Sequence, residues 1–203
     1  MMGEDTRAKI LAAALDEFAA KGLAGVRVDQ IAEVAGVNKA MIYYHFASKE
    51  DLFKAVFESE MEGLKGQLAV ITARQELGTL EGQIAAVEAM LAYAGERKKF
   101  LSILLSSALM QPEVQPHLFQ LLDVSTAAGL SLASAPGEVT KPPDQEALLK
   151  ELFTGLLPLM TFILLREGLS DHYGWDEAGL KRTFIRNWLS QHLGSGENPT
   201  DPA

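Results

Sequence analysis

The sequence predicts an all-α protein in which a small N-terminal helix-turn-helix head of three helices precedes a larger helical domain. Three observations predict it. Apolar residues recur at intervals of three and four through most of the chain. No stretch alternates polar and apolar residues over enough length for a strand. The breaks between periodic stretches fall at glycines, prolines and capping residues.

Taken in order, Thr6 is a candidate N-cap for a first helix, with Ile10, Leu11, Ala14, Leu15 and Phe18 on one side and Lys21-Gly22 as its stop. A linker, Leu23–Val26, leads to a short helix over about 28–35, with Ile31, Ala32 and Ala35 inward and Gly36 as the break. Asn38 caps a third helix through about Tyr44, and Ser48 with Asp51 reads as a capping-box variant opening a fourth. That helix carries Phe53, Val56, Phe57, Met61 and Leu64, with Gly63 and Gly66 weakening its distal end. Further helical periodicity covers about 79–94, 97–110, 113–133, 144–168 and 176–193. Ala135-Pro136-Gly137 and Lys141-Pro142-Pro143-Asp144 bracket a loop, and the ending GSGENPTDPA reads as a frayed tail. The expected domains are therefore 1–48 (helix-turn-helix), 49–193 (helical) and 194–203 (tail).

Composition narrows the function classes. The 203 residues are 48% hydrophobic and 22% charged, which suits a globular chain with a real core. Cysteine is absent, excluding disulfides and thiolate metal sites, and the opening MMGEDTRAKI lacks the apolar core of a signal peptide. The longest apolar run, Leu152 to Leu165, is interrupted by Gly155 and Pro158 and reads as a buried helix rather than a membrane span. The expectation is a cytoplasmic protein with no membrane segment. No nucleophile–base pair, phosphate loop or metal cluster emerges, and His117, His172 and His192 have no metal-ligand spacing, so an enzyme, a metal site and a cofactor are not expected.

The net charge of -9 argues mildly against a nucleic-acid binder. Its distribution argues the other way. From Ala35 through Lys49 there is no acidic residue, while Lys39, His45 and Lys49 accompany Tyr43 and Tyr44. A small basic and aromatic patch on an acidic body can bind phosphates while the acidity elsewhere weakens non-specific adhesion.

The same segment has the spacing of a helix-turn-helix. Ala32 and Ala35 permit close approach of two short helices, Gly36 accepts the turn, and Val37 and Ile42 plug the space beneath. Lys39, Ala40, Met41, Tyr43, Tyr44 and His45 are left facing outward. They offer a cation, small apolar groups for thymine methyls and hydroxyls for phosphates. Two alternatives stand beside this reading: the tyrosines as half-buried packing residues, and Lys39 and Lys49 as ordinary solvated charges.

These residues resemble a known family. The stretch from Thr6 to about Phe57, above all VDQIAEVAGVNKAMIYYHFASKEDLF, looks like the DNA-binding domain of the TetR/AcrR family of bacterial regulators. The resemblance implies phosphate contacts by Tyr43 and His45, and a backbone contact by Lys49 at the start of the fourth helix. It implies base or backbone contacts by Lys39, Ala40, Met41 and Tyr44, and a cap at Asn38 that also touches phosphate. Arg27 departs from the family pattern, which often has Thr or Ser there. An arginine is a poor N-cap but can replace a hydroxyl contact with a charged one.

The resemblance also implies a C-terminal domain that dimerises and encloses a small-molecule pocket, and hence a ligand-responsive regulator, most simply a repressor of a palindromic operator. For the homodimer interface the candidates are Leu148, Leu152, Leu156, Leu159 and Ile163, with Leu180, Phe184 and Trp188 from the last helix. The alternative is that these faces pack inside one subunit. For the pocket they are Met90, Tyr93, Phe100, Leu104, Met110, Phe119, Phe153, Met160 and Phe162, each of which has plain core packing as its alternative. Pro158 is expected to remove a backbone hydrogen bond and bend its helix.

Overall fold

The computed structural model describes residues 2–73, 75–133 and 143–192. Among these there is no strand, and the helices are α1 (Met2–Gly25), α2 (Val28–Ala35), α3 (Lys39–His45), α4 (Lys49–Thr72), α5 (Leu80–Glu96), α6 (Lys98–Met110), α7 (Gln115–Ala133), α8 (Gln145–Lys150), α9 (Leu157–Tyr173) and α10 (Glu177–His192). Short 3-10 turns occupy Gln75–Gly78 and Pro112–Val114, and a π-helical turn, Glu151–Leu156, joins α8 to α9. The 135–137 loop signal, Lys141-Pro142 and the 194–203 tail lie outside the described residues.

Most helix boundaries follow the sequence signals. Thr6 is not an N-cap, because α1 already begins at Met2. Gly22 does stop the regular helix, at φ 70°, a conformation that side chains resist.

The described residues divide into two compact units, one of 2–65 with 97–119 and one of those within 66–96 and 120–192. The sequence boundary at 48 marks the end of the helix-turn-helix, but the unit that contains it is larger. The reason is that α1 packs against α2 on one side and α6 on the other, which draws α6 into the same unit. In this first unit Ile10, Phe18, Ile31, Ile42, Leu52, Phe57 and Leu104 are essentially sealed from water. Phe18 meets Phe53 edge-on at 5.4 Å, and Lys99 reaches from α6 to Asp16 of α1 at 2.7 Å.

The second unit packs α5, α9 and α10 around Val87, Leu91, Met160, Ile163 and Leu189. Phe162 and Phe184 stack face to face at 3.9 Å. The helix expected over about 144–168 runs from Gln145 to Tyr173, 29 residues, through Gly155 and Pro158, and is long and apolar enough to cross a bilayer by length and composition. Pro158 has no N–H for the carbonyl four residues earlier. Just before it the chain widens into the π turn, where the Leu157 N–H bonds to the Leu152 carbonyl five residues back. The Gly155 carbonyl accepts the indole N–H of Trp188 at 3.0 Å, a buried bond that ties α10 to the wide turn.

Candidate nucleic-acid interface

The helix-turn-helix is built by its caps. Arg27 holds the N-cap position of α2 without a side-chain oxygen to offer. Instead Gln30 Oε1 reaches back to accept the Arg27 N–H at 3.2 Å, the reciprocal half of a capping box. The pattern R-V-D-Q contains this signal at Gln30, which the sequence reading passed over. At the other end Gly36 adopts φ 66°. The N–H of Val37 then bonds to Ala32 and that of Gly36 to Glu33, satisfying carbonyls left open by the helix end. Asn38 Oδ1 accepts the Met41 N–H at 2.8 Å and starts α3. Ser48 Oγ accepts the Asp51 N–H, while Asp51 reaches back to the Ala47 N–H, fixing the start of α4.

With those four turns set, Ile42 is 1% exposed and anchors α3 to the core, which decides what faces water. Lys39, Ala40 and Tyr43 are exposed, and Tyr44 is 81% exposed. Met41 is half-buried. So is His45: its Nε2 is shielded and meets no hydrogen-bond partner, and its ring lies edge-on to Tyr44 at 5.1 Å. His45 therefore presents less of itself than the sequence implies, because α3 ends there and the chain turns inward to Phe46. Arg27 is exposed at the start of α2.

Two cations are held by the protein itself. Lys39 Nζ lies 2.8 Å from Asp29 Oδ1, with Asp29 also 3.7 Å from Arg27. The hydrogen bond between them lowers the Asp29 carboxyl and raises the Lys39 ammonium from their ordinary values. Lys49 is half-buried and donates to the Val26 carbonyl at 3.3 Å. Neither is a freely solvated charge. An ammonium carries three donors, so each keeps hydrogens for a second acceptor.

The remaining sequence candidates are dispersed. Phe100 and Leu104 are core residues of the first unit, and Met160 and Phe162 of the second. Met90 and Tyr93 are half-buried, whereas Met110, Phe119 and Phe153 are 81%, 50% and 63% exposed. Those three side chains face outward from their helices. Of the interface candidates, Leu156, Leu159, Ile163 and Trp188 are buried inside their own subunit. Periodicity had marked the apolar face correctly but not what covers it. The outward residues of the same helices are Leu149, Phe153 and Leu165, with Leu148, Leu152, Leu180 and Phe184 half-buried.

Residues 10–56 match the family model for bacterial regulatory proteins of the tetR family. The chain is 34% identical over 108 residues to the transcriptional regulator SrpR of Pseudomonas putida, covering 52% of this chain and 48% of SrpR. It is 33% identical over 108 residues to the uncharacterized HTH-type transcriptional regulator TtgW of Pseudomonas putida, covering 52% of this chain and 77% of that protein. The chain thus spans about half the length of the first and about three quarters of the second. A TetR-like transcriptional regulator from Rhodococcus sp. has the same fold, with a TM-score of 0.63 at 19% identity over 94% of this chain and 97% of that one. An α2–turn–α3 unit capped at both ends, an outward face carrying Lys39, Tyr43 and Tyr44, and sequence kinship that runs well past that head converge on one conclusion: the chain belongs to the TetR family of DNA-binding, helix-turn-helix transcription regulators.

Proposed function

We propose that this chain is a ligand-responsive repressor that binds a palindromic operator as a homodimer and releases it when a small, largely apolar effector binds the C-terminal half. The observation that carries the DNA-binding part is the orientation of α3, with Ile42 locked in the core and Lys39, Ala40, Tyr43 and Tyr44 left in water. Tyr43, His45, Lys49, Arg27 and Asn38 supply phosphate contacts, and Lys39, Ala40, Met41 and Tyr44 meet base edges or backbone. Two such helices engage both half-sites when they stand about 34–36 Å apart, one DNA turn.

Pairing uses the face that the subunit leaves uncovered: Leu149, Phe153 and Leu165, flanked by the half-buried Leu148, Leu152, Leu180 and Phe184. An exposed apolar face of this extent on one helix is what an obligate interface covers. The effector region is the neighbourhood of Met90, Tyr93, Met160 and Phe162 in the second unit. An effector acts by favouring a dimer whose recognition helices no longer match the groove spacing, and it weakens operator binding by its preference between the two states.

The test is an operator titration by fluorescence polarisation, with and without small molecules that raise the melting temperature. The expected result is release by at least one stabilising compound. Operator affinity that stays constant with every compound that binds would overturn the effector reading and leave the DNA-binding reading intact.

A further inference from the structure

In the second unit, α5 and α10 pack along a groove of about 840 Å³, within the usual size of small-molecule clefts. Its floor is apolar, made by Leu80 and Ile84 of α5 and Ile185 and Leu189 of α10. Each pair is four residues apart and so shares one helix face. Leu80 is 61% exposed, a large apolar side chain standing in water at the groove.

One rim is basic. Arg182 and Arg186 are again one turn apart, and both are exposed. Arg182 makes only a long contact, 3.8 Å, to the equally exposed Asp176. Arg186 meets no carboxylate among the described residues. The acid in the wall, Glu88, is already engaged by Lys181 at 3.3 Å. An apolar floor therefore lies beside two guanidinium groups with little internal compensation.

We propose that the groove between α5 and α10 binds an amphipathic monoanion, a carboxylate carried on an apolar chain. Guanidinium groups offer planar, paired donors that match a carboxylate, and the chain covers the exposed floor. A simple inorganic anion leaves the floor wet. A cationic amphiphile meets two like charges, and a neutral hydrocarbon leaves the arginines unused. The groove is separate from the proposed effector region, since Met90, Tyr93, Met160 and Phe162 do not line it. It also lies away from the pairing face, because Leu180 and Phe184 project from the other side of α10.

The test uses the full-length protein and dodecanoate as probe, titrated by calorimetry. In parallel, 5-doxyl-stearate broadening is read on the methyl signals of Leu80, Ile84, Ile185 and Leu189. Two variants, Arg182→Gln/Arg186→Gln and Leu80→Glu, alter only exposed positions, and their folding is checked by thermal melting. The expected result is one dodecanoate per subunit at this site, weakened about tenfold or more in both variants. Dodecyltrimethylammonium does not compete, and broadening concentrates on the four methyls. Absence of dodecanoate binding, equal affinity in wild type and both variants, equal binding of the cation, or broadening that spares the four methyls would each overturn the proposal. Operator release is no part of this readout, so the groove and the repressor reading stand or fall separately.

Discussion

The ammonium of Lys49, the first residue of α4, donates to the carbonyl of Val26 in the linker between α1 and α2. The contact spans 23 positions of sequence and joins the start of a long helix to the segment that leads into the helix-turn-helix. Lys49 thus has a folding role in addition to the phosphate role proposed for it, and the two roles are separable.

Lys49→Ala loses both tether and charge, and Lys49→Gln keeps an amide donor without the charge. In urea, Lys49→Ala is expected to lose about 1 kcal/mol and Lys49→Gln less. On DNA both are expected to weaken binding to all sequences alike and to flatten the salt dependence by about one unit of slope. A loss confined to one operator position would contradict a phosphate contact.

Asp29 places a carboxylate within 2.8 Å of a lysine on the face proposed to meet the duplex. Asp29→Asn removes a charge that repels phosphate and releases Lys39 from its partner. The expected outcome, read from operator titrations at fixed salt, is binding about threefold tighter or more. Unchanged or weaker binding would show that Lys39 stays away from the DNA.

His117 is half-buried with its ring 4.2 Å from that of Phe57, and its Nδ1 is shielded without a hydrogen-bond partner. Burial holds its imidazole below the ordinary value, with Glu58 opposing and Lys54 adding to the shift. The fold therefore favours the neutral ring. As pH falls through about 6.5 the unfolded chain takes up the proton first, so stability is expected to fall on acidification below about pH 7. Denaturant midpoints measured from pH 8 to pH 5 should show this, and His117→Phe should flatten the profile.

Trp188→Phe removes the donor to the Gly155 carbonyl while keeping most of the apolar bulk. Loss of that buried bond is expected to cost about 0.5–1.5 kcal/mol. Trp175→Phe, at a half-exposed position, serves as the control and should change stability by no more than about 0.5 kcal/mol.

Much of the head was legible because its caps are local. Asn38, Ser48 with Asp51, and Gly36 act on neighbours within a few residues, and their signals do not depend on tertiary context. The outward set on α3 was legible once Ile42 was placed inside, although His45 turned out half-shielded because the helix ends at that residue. Three features were not legible. Whether Leu156, Leu159, Ile163 and Trp188 pack within one subunit or against a second stays open in the sequence, because an apolar stripe records only that something covers it. The half-burial of Lys49 depends on a carbonyl in a distant linker. The π turn beside Pro158 is coupled to Trp188, on a helix that follows much later in the chain.

The helix Gln145–Tyr173 spends one face on its own unit and leaves Leu149, Phe153 and Leu165 in water. On the pairing proposed above, a newly made subunit carries an adhesive strip until a second copy covers it. Its thermal midpoint should consequently climb with protein concentration, and dilution should expose it to clumping and proteolysis before it ever reaches a promoter.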